Sequence, residues 1–162
     1  MNAILSSHTT YAYAKINLSL DILGTMPNGY HEVRMIMQSL QLHDTITLNI
    51  NNSTGITMTC SDTSLPVDGH NLAYRAAVSF CEAYHISDGI TLHLEKKIPV
   101  AAGLAGGSSD AAAVLRGLNE MYGCPATAEE LAALGVRLGA DVPYCLMFGT
   151  ALSEGIGERL TA

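Results

Sequence analysis

The chain has 162 residues, of which 48% are apolar and 14% are charged. This composition predicts one globular domain with a substantial core and excludes an intrinsically disordered chain. The net charge of −7 argues against nucleic acid as the main partner, because nucleic-acid-binding surfaces are basic.

The sequence shows no membrane-spanning or secretory segment. No window approaches the ~18 apolar residues that a membrane span needs, and the N-terminus lacks a basic region followed by a long apolar stretch. The four cysteines are far apart and form no metal-type pair; they are Cys60, Cys81, Cys124 and Cys145. We therefore expect reduced cysteines, a cytoplasmic protein and no membrane partner.

The first half of the chain has the alternation that is typical of strands. Residues 12–23 alternate between apolar and polar side chains, which predicts a half-buried strand. The face expected to be buried comprises Ala14, Ile16, Leu18, Leu20 and Ile22. Residues 33–42 fit a strand or a helix, whereas residues 46–50 and 56–60 are predicted to pair as a hairpin around a turn at 51–55.

Helices are predicted in the second half. Asn71 is a suitable N-cap for the first, and Thr127 with Glu130 forms a capping-box pattern for the third, which ends at Gly139. Between them, a strand at 90–94 leads to a helix that starts near Ser108 or Ser109. Residues 144–152 look strand-like. Strands and helices mix without a regular βαβ rhythm, so we predict an α+β fold.

A glycine-rich segment at 99–110, PVAAGLAGGSSD, joins a predicted strand to a predicted helix. Glycine allows close approach of a ligand to the backbone, and a helix start offers unpaired N–H donors and the positive end of the dipole. The segment therefore predicts a phosphate cradle, although a glycine-rich turn without a ligand is the alternative. It is not a Walker A motif, because no lysine separates Gly107 from Ser108. We expect Asp110 to point away from phosphate.

The loop resembles the ATP loop of the GHMP kinases, which phosphorylate small molecules such as galactose, homoserine and mevalonate. Three further segments, at 14–18, 28–32 and 139–143, resemble in order and spacing the branch of that family whose substrate is diphosphocytidyl methylerythritol, in the non-mevalonate route to isoprenoids. The resemblance covers nearly the whole chain. It implies a ribosomal protein S5 domain 2-like α+β fold, ATP and Mg²⁺ as cofactors and a small-molecule alcohol as substrate.

The resemblance also implies roles for individual residues. Lys15 and Asp141 would be the catalytic pair: Asp141 orients the substrate hydroxyl or accepts its proton, and Lys15 stabilises charge on the transferring phosphoryl group. Substrate binding would fall to Asn17, Tyr30 and His31, with Tyr30 stacking on cytosine. The ATP-binding residues would be Asn71, Lys97, Pro99, Val100, Ala101, Ala102, Gly103, Leu104, Ala105, Gly106, Gly107, Ser108 and Ser109.

Members of this family are nearly twice as long and carry a C-terminal domain that helps to close the substrate cleft. The resemblance implies that residues 1–162 are the N-terminal ATP-binding and catalytic domain. We expect the chain alone to transfer phosphate poorly and to self-associate through apolar surface that a second domain covers. The alternatives are a GHMP kinase for another alcohol and a nucleotide-binding domain without activity.

Overall fold

A computed structural model describes residues 6–25, 29, 31–157 and 159–162. Within these residues, helices pack on one face of a six-stranded sheet, which is the predicted α+β arrangement. No helix in this part of the chain is long and apolar enough to cross a membrane. In chain order, the elements are β1 (Ser7–Thr25), β2 (His31–Asn51), β3 (Ile56–Cys60), α1 (Leu72–Ala83), β4 (Gly89–Glu95), α2 (Gly106–Met121), α3 (Ala128–Leu138), α4 (Val142–Met147), β5 (Thr150–Gly155) and β6 (Arg159–Thr161).

The long strand β2 organises the sheet and includes residues 33–42, which the sequence left open between strand and helix. It pairs antiparallel with β1 along one edge, and with β4 and β5 along the other. The predicted hairpin of residues 46–50 with 56–60 is wrong, because β4 lies between β2 and β3. A parallel β3–β4 pair needs a crossover connection, and α1 supplies it.

Helix α2 lies unusually close to β1 and β2. A Cβ atom on Gly117 would lie 2.8 Å from Leu48 Cδ1 and 3.2 Å from Thr10 Cγ2, so a larger residue would require these side chains or the helix to shift. Leu115 and Leu118 are fully buried beside this contact. Each such side chain contributes about 1.5–3 kcal/mol by its removal from water.

The close approach lets side chains of α2 reach the outer edge of β1. Arg116 Nη2 donates to the Tyr11 carbonyl at 2.8 Å, and Ser109 Oγ donates to the Tyr13 carbonyl at 2.5 Å. These carbonyls face away from β2 and would otherwise need water or another strand. The start of α2 is therefore held in place by the backbone of β1.

The helix boundaries follow the sequence signals except at α4. Asn71 caps α1 as predicted, because its Oδ1 accepts a hydrogen bond from Ala73 N–H at 2.9 Å. Helix α2 begins at Gly106, two residues earlier than Ser108. The strand predicted from residue 144 is wrong over 144–147, which form α4 with Pro143 in its first turn. Proline favours a first helical turn, where no N–H is needed.

The second half of β1 is exposed on both faces. Residues 17–25 pair with β2 but extend beyond the helical layer, and two register shifts interrupt their alternation. The prediction of a buried face is therefore wrong for Leu18, Leu20 and Ile22, which are 53–66% exposed. We call residues 17–25 with 31–36 the hairpin arm. The expected self-association through apolar surface remains a prediction.

The predicted capping box of α3 is present, and it can be tested. Thr127 Oγ1 accepts from Glu130 N–H at 3.2 Å, and Glu130 Oε2 accepts from Thr127 N–H at 2.8 Å. We expect Thr127→Ala to lower the free energy of unfolding by about 1 kcal/mol in urea denaturation. Thr127→Ser keeps the hydroxyl and is the control. Equal free energies of unfolding for the two variants would show that the Thr127 cap does not stabilise α3.

Candidate functional site

The glycine-rich loop has an unusual backbone. Alternate residues have left-handed conformations, with φ of 57° at Ala101, 74° at Gly103 and 56° at Ala105. This conformation costs an alanine about 1 kcal/mol, and such strain concentrates at functional loops. Left-handed residues next to right-handed ones turn successive N–H groups to the same side, which creates a concavity for anions.

The loop runs directly into α2 without a side-chain cap. Ala105 is the N-cap and has no side chain that can accept from the first-turn N–H groups. A Cβ atom on Gly106 would lie 3.2 Å from both Ile98 Cγ2 and Lys96 Nζ, so glycine alone fits without displacement. The uncapped donors and the positive end of the helix dipole therefore suit a phosphate group.

A cavity of about 350 Å³ lies between this loop and the segment before α1. It is lined by Asn71 and by every loop residue from Pro99 to Ser108, all of which the family resemblance assigns to ATP binding. The lining residues that the sequence did not assign are Leu65, Pro66, His70, Leu72, Lys96 and Asp110. Apolar side chains before α1 face backbone donors of the loop, and this combination fits a nucleoside phosphate.

Asn71 shapes the wall of this cavity while it caps α1. Its Oδ1 is bound by Ala73 N–H, and its Nδ2 donates to the Pro66 carbonyl at 2.8 Å. Both ends of the amide are thus used within the chain. The hydrogen bond to Pro66 holds the segment before α1 against the cavity. No residue spacing in the sequence indicates this contact.

Lys15 lies beside the loop and is buried. Its backbone N–H donates to the Leu104 carbonyl at 3.1 Å, and its Nζ donates to Asn17 Oδ1 at 3.1 Å. The side-chain nitrogen also lies 3.6 Å from Asp141 Oδ2. Lys15 is only 6% exposed, unlike most lysines on the polar face of a strand. The loop hydrogen bond places this ammonium next to the phosphate cradle.

Asp141 occupies the N-cap position of α4 but does not cap the helix through its side chain. Its carboxylate instead forms the ion pair with Lys15 and remains one-third exposed. The same segment packs against the end of the loop, since a Cβ on Gly139 would lie 3.6 Å from Ser108 Oγ. The structure thus brings together the predicted catalytic pair, Asn17 and the loop. A carboxylate that can accept a hydroxyl proton and an ammonium that can neutralise phosphate charge meet at one edge of the cradle.

Ser109 and Lys97, both predicted to bind ATP, are not among the residues that line the cavity. Ser109 is buried, and its hydroxyl is used by the Tyr13 carbonyl. Lys97 is half-exposed, and its Nζ lies 3.2 Å from Glu95 Oε1. Its neighbour Lys96 lines the cavity instead. The two adjacent lysines follow the end of β4 and face different surroundings.

Lys96 is clamped between two buried carboxylates. Its Nζ contacts Asp44 Oδ2 and lies 3.0 Å from Asp110 Oδ2. Burial alone would lower the pKa of Lys96, but its attraction to Asp110 and Asp44 raises it. The sequence predicted that Asp110 points away from phosphate. Its carboxylate is buried beneath the loop, at the start of α2. Burial, reinforced by the charge of Asp44 and opposed by Lys96, raises the pKa of Asp110 to about 7.

Of the two residues predicted to bind cytidine, His31 lies apart from this site. Tyr30 is not among the described residues. His31 pairs with Thr25 at the far end of the hairpin arm, is exposed, and its Nδ1 lies 3.4 Å from Thr25 Oγ1. An extended strand from Asn17 to Thr25 spans roughly 25 Å. The structure therefore does not bring His31 to Lys15.

Comparison with known proteins gives closely similar sequences. Residues 71–149 match the family model described as GHMP kinases N terminal domain. The 4-diphosphocytidyl-2-C-methyl-D-erythritol kinases of Lachnoclostridium phytofermentans and Clostridium tetani are 57% and 53% identical, each over 150 residues and 93% of this chain. These alignments cover 52% and 53% of the two relatives. The chain thus spans about half the length of the curated relatives it matches.

Solved structures show the same relationship. The crystal structure of a 4-(cytidine 5′-diphospho)-2C-methyl-D-erythritol kinase is 38% identical, with a TM-score of 0.83 over 95% of this chain and 54% of that chain. A mevalonate kinase is 15% identical, with a TM-score of 0.74 over 95% of this chain and 55% of its own. The comparison with mevalonate kinase shows only that the two proteins share a fold.

The two adjacent serines of the loop have different surroundings, and matched substitutions separate them. We expect Ser109→Ala to lower the free energy of unfolding by about 1–3 kcal/mol, because it leaves the Tyr13 carbonyl without its donor. Ser108→Ala, which removes a hydroxyl at the cavity, should change it by less than about 0.5 kcal/mol. Urea denaturation measures both. Equal losses would contradict the anchoring of α2 through Ser109.

Proposed function

Since the chain belongs to the GHMP kinases through their N-terminal domain, we propose that it binds ATP at the glycine-rich loop and supplies the groups that phosphorylate a small-molecule alcohol. The substrate of this proposal is 4-diphosphocytidyl-2-C-methyl-D-erythritol, phosphorylated on its 2-hydroxyl in isoprenoid biosynthesis. That compound is named in the relatives that are more than half identical to this chain. The family also has the predicted α+β fold of the ribosomal protein S5 domain 2 type.

One observation carries the proposal: Lys15 belongs to the cradle and to the Lys15–Asp141 pair at once. Its backbone N–H holds the loop at Leu104, and its ammonium lies 3.6 Å from the Asp141 carboxylate. A phosphate on the loop and a hydroxyl on Asp141 would therefore meet at Lys15. Phosphoryl transfer depends mainly on this kind of positioning and on electrostatic stabilisation.

Each residue has a distinct task in this reaction. ATP supplies the phosphoryl group, and the N–H groups at the start of α2 hold its phosphates. Asp141 accepts a hydrogen bond from the substrate hydroxyl and so orients its oxygen for attack. Lys15 neutralises negative charge as the phosphoryl group moves, and Asn17 holds the Lys15 ammonium in place through its Oδ1. The burial of Lys15 strengthens this effect, because charges interact more strongly away from water.

Mg²⁺ accompanies ATP in this proposal. The described residues contain no group of three or more His, Cys, Asp and Glu side chains that could hold a metal ion. Magnesium in phosphate-transferring sites is commonly held largely by substrate phosphates and water. These residues fit an ion that arrives with the nucleotide, so no protein ligand is assigned to it.

The proposal treats the chain as the ATP-binding and catalytic domain of a larger active site. The relatives are about twice as long as the aligned region, and the hairpin arm exposes apolar side chains beyond the helices. We expect efficient transfer to require the remaining half found in the relatives. An ATPase-coupled assay with the cytidyl substrate should therefore show slow turnover for this chain alone, and rapid turnover would contradict this expectation.

The catalytic pair can be tested by single-turnover transfer from radiolabelled ATP, which detects slow reactions. We expect Lys15→Ala and Asp141→Asn each to slow transfer by about 100-fold or more, because each removes a group that acts on the reacting atoms. Binding of ADP, measured by calorimetry, should change much less.

The controls are Arg137→Ala and Asp88→Asn, which remove exposed charges from α3 and from the turn before β4. Both should transfer phosphate at the parent rate. A Lys15→Ala variant with unchanged transfer would refute the assigned role of Lys15. ADP binding without transfer to any alcohol would instead indicate a nucleotide-binding domain without activity.

The distance of His31 from Lys15 favours a second candidate, a GHMP kinase for an alcohol without cytidine. If cytidine binds at the arm, we expect His31→Ala and Tyr30→Ala to raise KM for the cytidyl substrate by about tenfold, with ADP affinity unchanged. Steady-state transfer with the cytidyl substrate and with methylerythritol phosphate measures the difference. Unchanged KM values in both variants would favour the second candidate.

A further inference from the structure

Three charged side chains form a buried cluster beneath the start of α2: Asp44 from β2, Lys96 after β4 and Asp110 from α2. We call them the lysine cluster. All three side chains are at least nine-tenths buried. The proposed transfer reaction uses none of them, although Lys96 and Asp110 border the cavity.

The two carboxylates of the cluster differ in the number of hydrogen bonds that they accept. Asp44 Oδ1 accepts from the backbone N–H groups of Lys97 and Ile98, and its Oδ2 contacts Lys96. Asp110 Oδ2 accepts from Lys96 at 3.0 Å, but Asp110 Oδ1 is buried without a hydrogen-bond partner in the described structure. Hydrogen bonds to a carboxylate favour its charged form. The buried, unpartnered oxygen therefore makes Asp110 the carboxylate of the cluster that accepts a proton.

The cluster lies directly against the proposed phosphate site, because Lys96 and Asp110 line the same cavity as the loop. A Cβ on Gly106 would lie 3.2 Å from Lys96 Nζ, which places the ammonium directly against the first residue of α2. With both aspartates ionised, the cluster carries one net negative charge. A nucleotide phosphate in this cavity would bring further negative charge next to the cluster.

We propose, on the basis of the ATP site above, that Asp110 is a positioning residue that takes up one proton from solvent when nucleotide phosphate binds the loop. The proton adds to the Asp110 carboxylate, and the cluster becomes neutral. Asp44 Oδ2 and Asp110 Oδ2 both contact the same Lys96 nitrogen. A protonated Asp110 carboxyl can donate a hydrogen bond, which an ionised carboxylate cannot do. Proton uptake would satisfy the Asp110 carboxyl and remove repulsion beneath the phosphate.

In the free protein, the protonation of Asp110 changes near neutral pH. Burial raises the pKa of Asp110 to about 7, so its carboxyl is partly protonated before any ligand arrives. Phosphate charge raises this pKa further in the bound state. A group whose pKa rises on binding strengthens binding below its free pKa and loses that contribution as the pH rises through its bound pKa. Nucleotide affinity should therefore be highest below about pH 7 and fall above it.

Few other titratable groups face Asp110. Besides Lys96 and Asp44, the thiols of Cys60 on β3 and Cys145 on α4 respond to its charge. Burial raises the pKa of both thiols, that of Cys145 to about 11, so they stay neutral over the relevant range. Histidine is the remaining side-chain type that changes charge near neutral pH, and His70 borders the same cavity.

Titration calorimetry with ADP and Mg²⁺ in buffers of different ionisation heat measures the protons taken up on binding. At about pH 7 we expect the parent chain to take up about half a proton more than Asp110→Asn, which mimics the protonated carboxyl. Proton release by ADP itself is common to both and cancels. Between about pH 6 and pH 8, the Kd of the parent should rise about five- to tenfold more than that of the variant.

Matched substitutions exclude other sources of the proton. Asp88→Asn makes the same chemical change at an exposed site, and His70→Gln removes the other candidate. Both should keep the proton uptake of the parent. If Asp110→Asn fails to fold, proton uptake by the parent beyond the titration of ADP, retained in His70→Gln, still supports the inference.

Two outcomes would overturn it, and they can be told apart. Binding of ADP with equal proton uptake in the parent and Asp110→Asn rejects the role of Asp110 and leaves the proposed function standing. Failure of ADP to bind at any pH rejects the proposed function and this inference with it.

Discussion

The site depends on how closely α2 approaches the first two strands. Gly117 leaves no side chain between the helix and Leu48, so the helix axis can lie near the sheet. At that distance the short hydroxyl of Ser109 reaches the backbone of β1 at Tyr13. The helix start, and the loop that leads into it, are then fixed relative to Lys15. The placement of the proposed phosphate cradle beside the Lys15 ammonium is thus a consequence of helix–sheet packing two to three turns away.

Two buried lysines border the cradle, and the structure uses them differently. Lys96 is sealed between two buried carboxylates, which compensate for its desolvation but leave its charge committed to them. Lys15 is paired with Asp141, which is one-third exposed, so substrate can reach the pair. Both lysines lie next to the loop, and they differ in their partners. The two buried carboxylates around Lys96 make its charge structural, whereas the partly exposed Asp141 leaves the charge of Lys15 accessible. That distinction follows from the carboxylates of β2, α2 and the 139–141 turn.

Local signals in the sequence predicted the features that depend on neighbouring residues. The cap at Asn71, the capping box at Thr127 and the glycine-rich loop at 99–110 all need only short-range chemistry. Features set by distant contacts were not predictable: β4 inserted beside β2, and α4 formed where a short apolar run resembled a strand. Lys15 is buried because the loop covers its strand. The Lys15–Asp141 pair came from family resemblance, since residues so far apart in sequence share no local pattern.

The outer edge of β1 shows a further effect of the same contacts. An unpaired strand edge is a template for another chain, and long edges promote aggregation. Here Arg116 and Ser109 donate to the carbonyls of Tyr11 and Tyr13, and the Leu104 carbonyl accepts from the N–H of Lys15. The loop and helix that build the cradle therefore also block strand addition along this stretch. A change that loosens the loop would therefore expose part of this strand edge to pairing with another chain, even if the Lys15–Asp141 pair stayed intact.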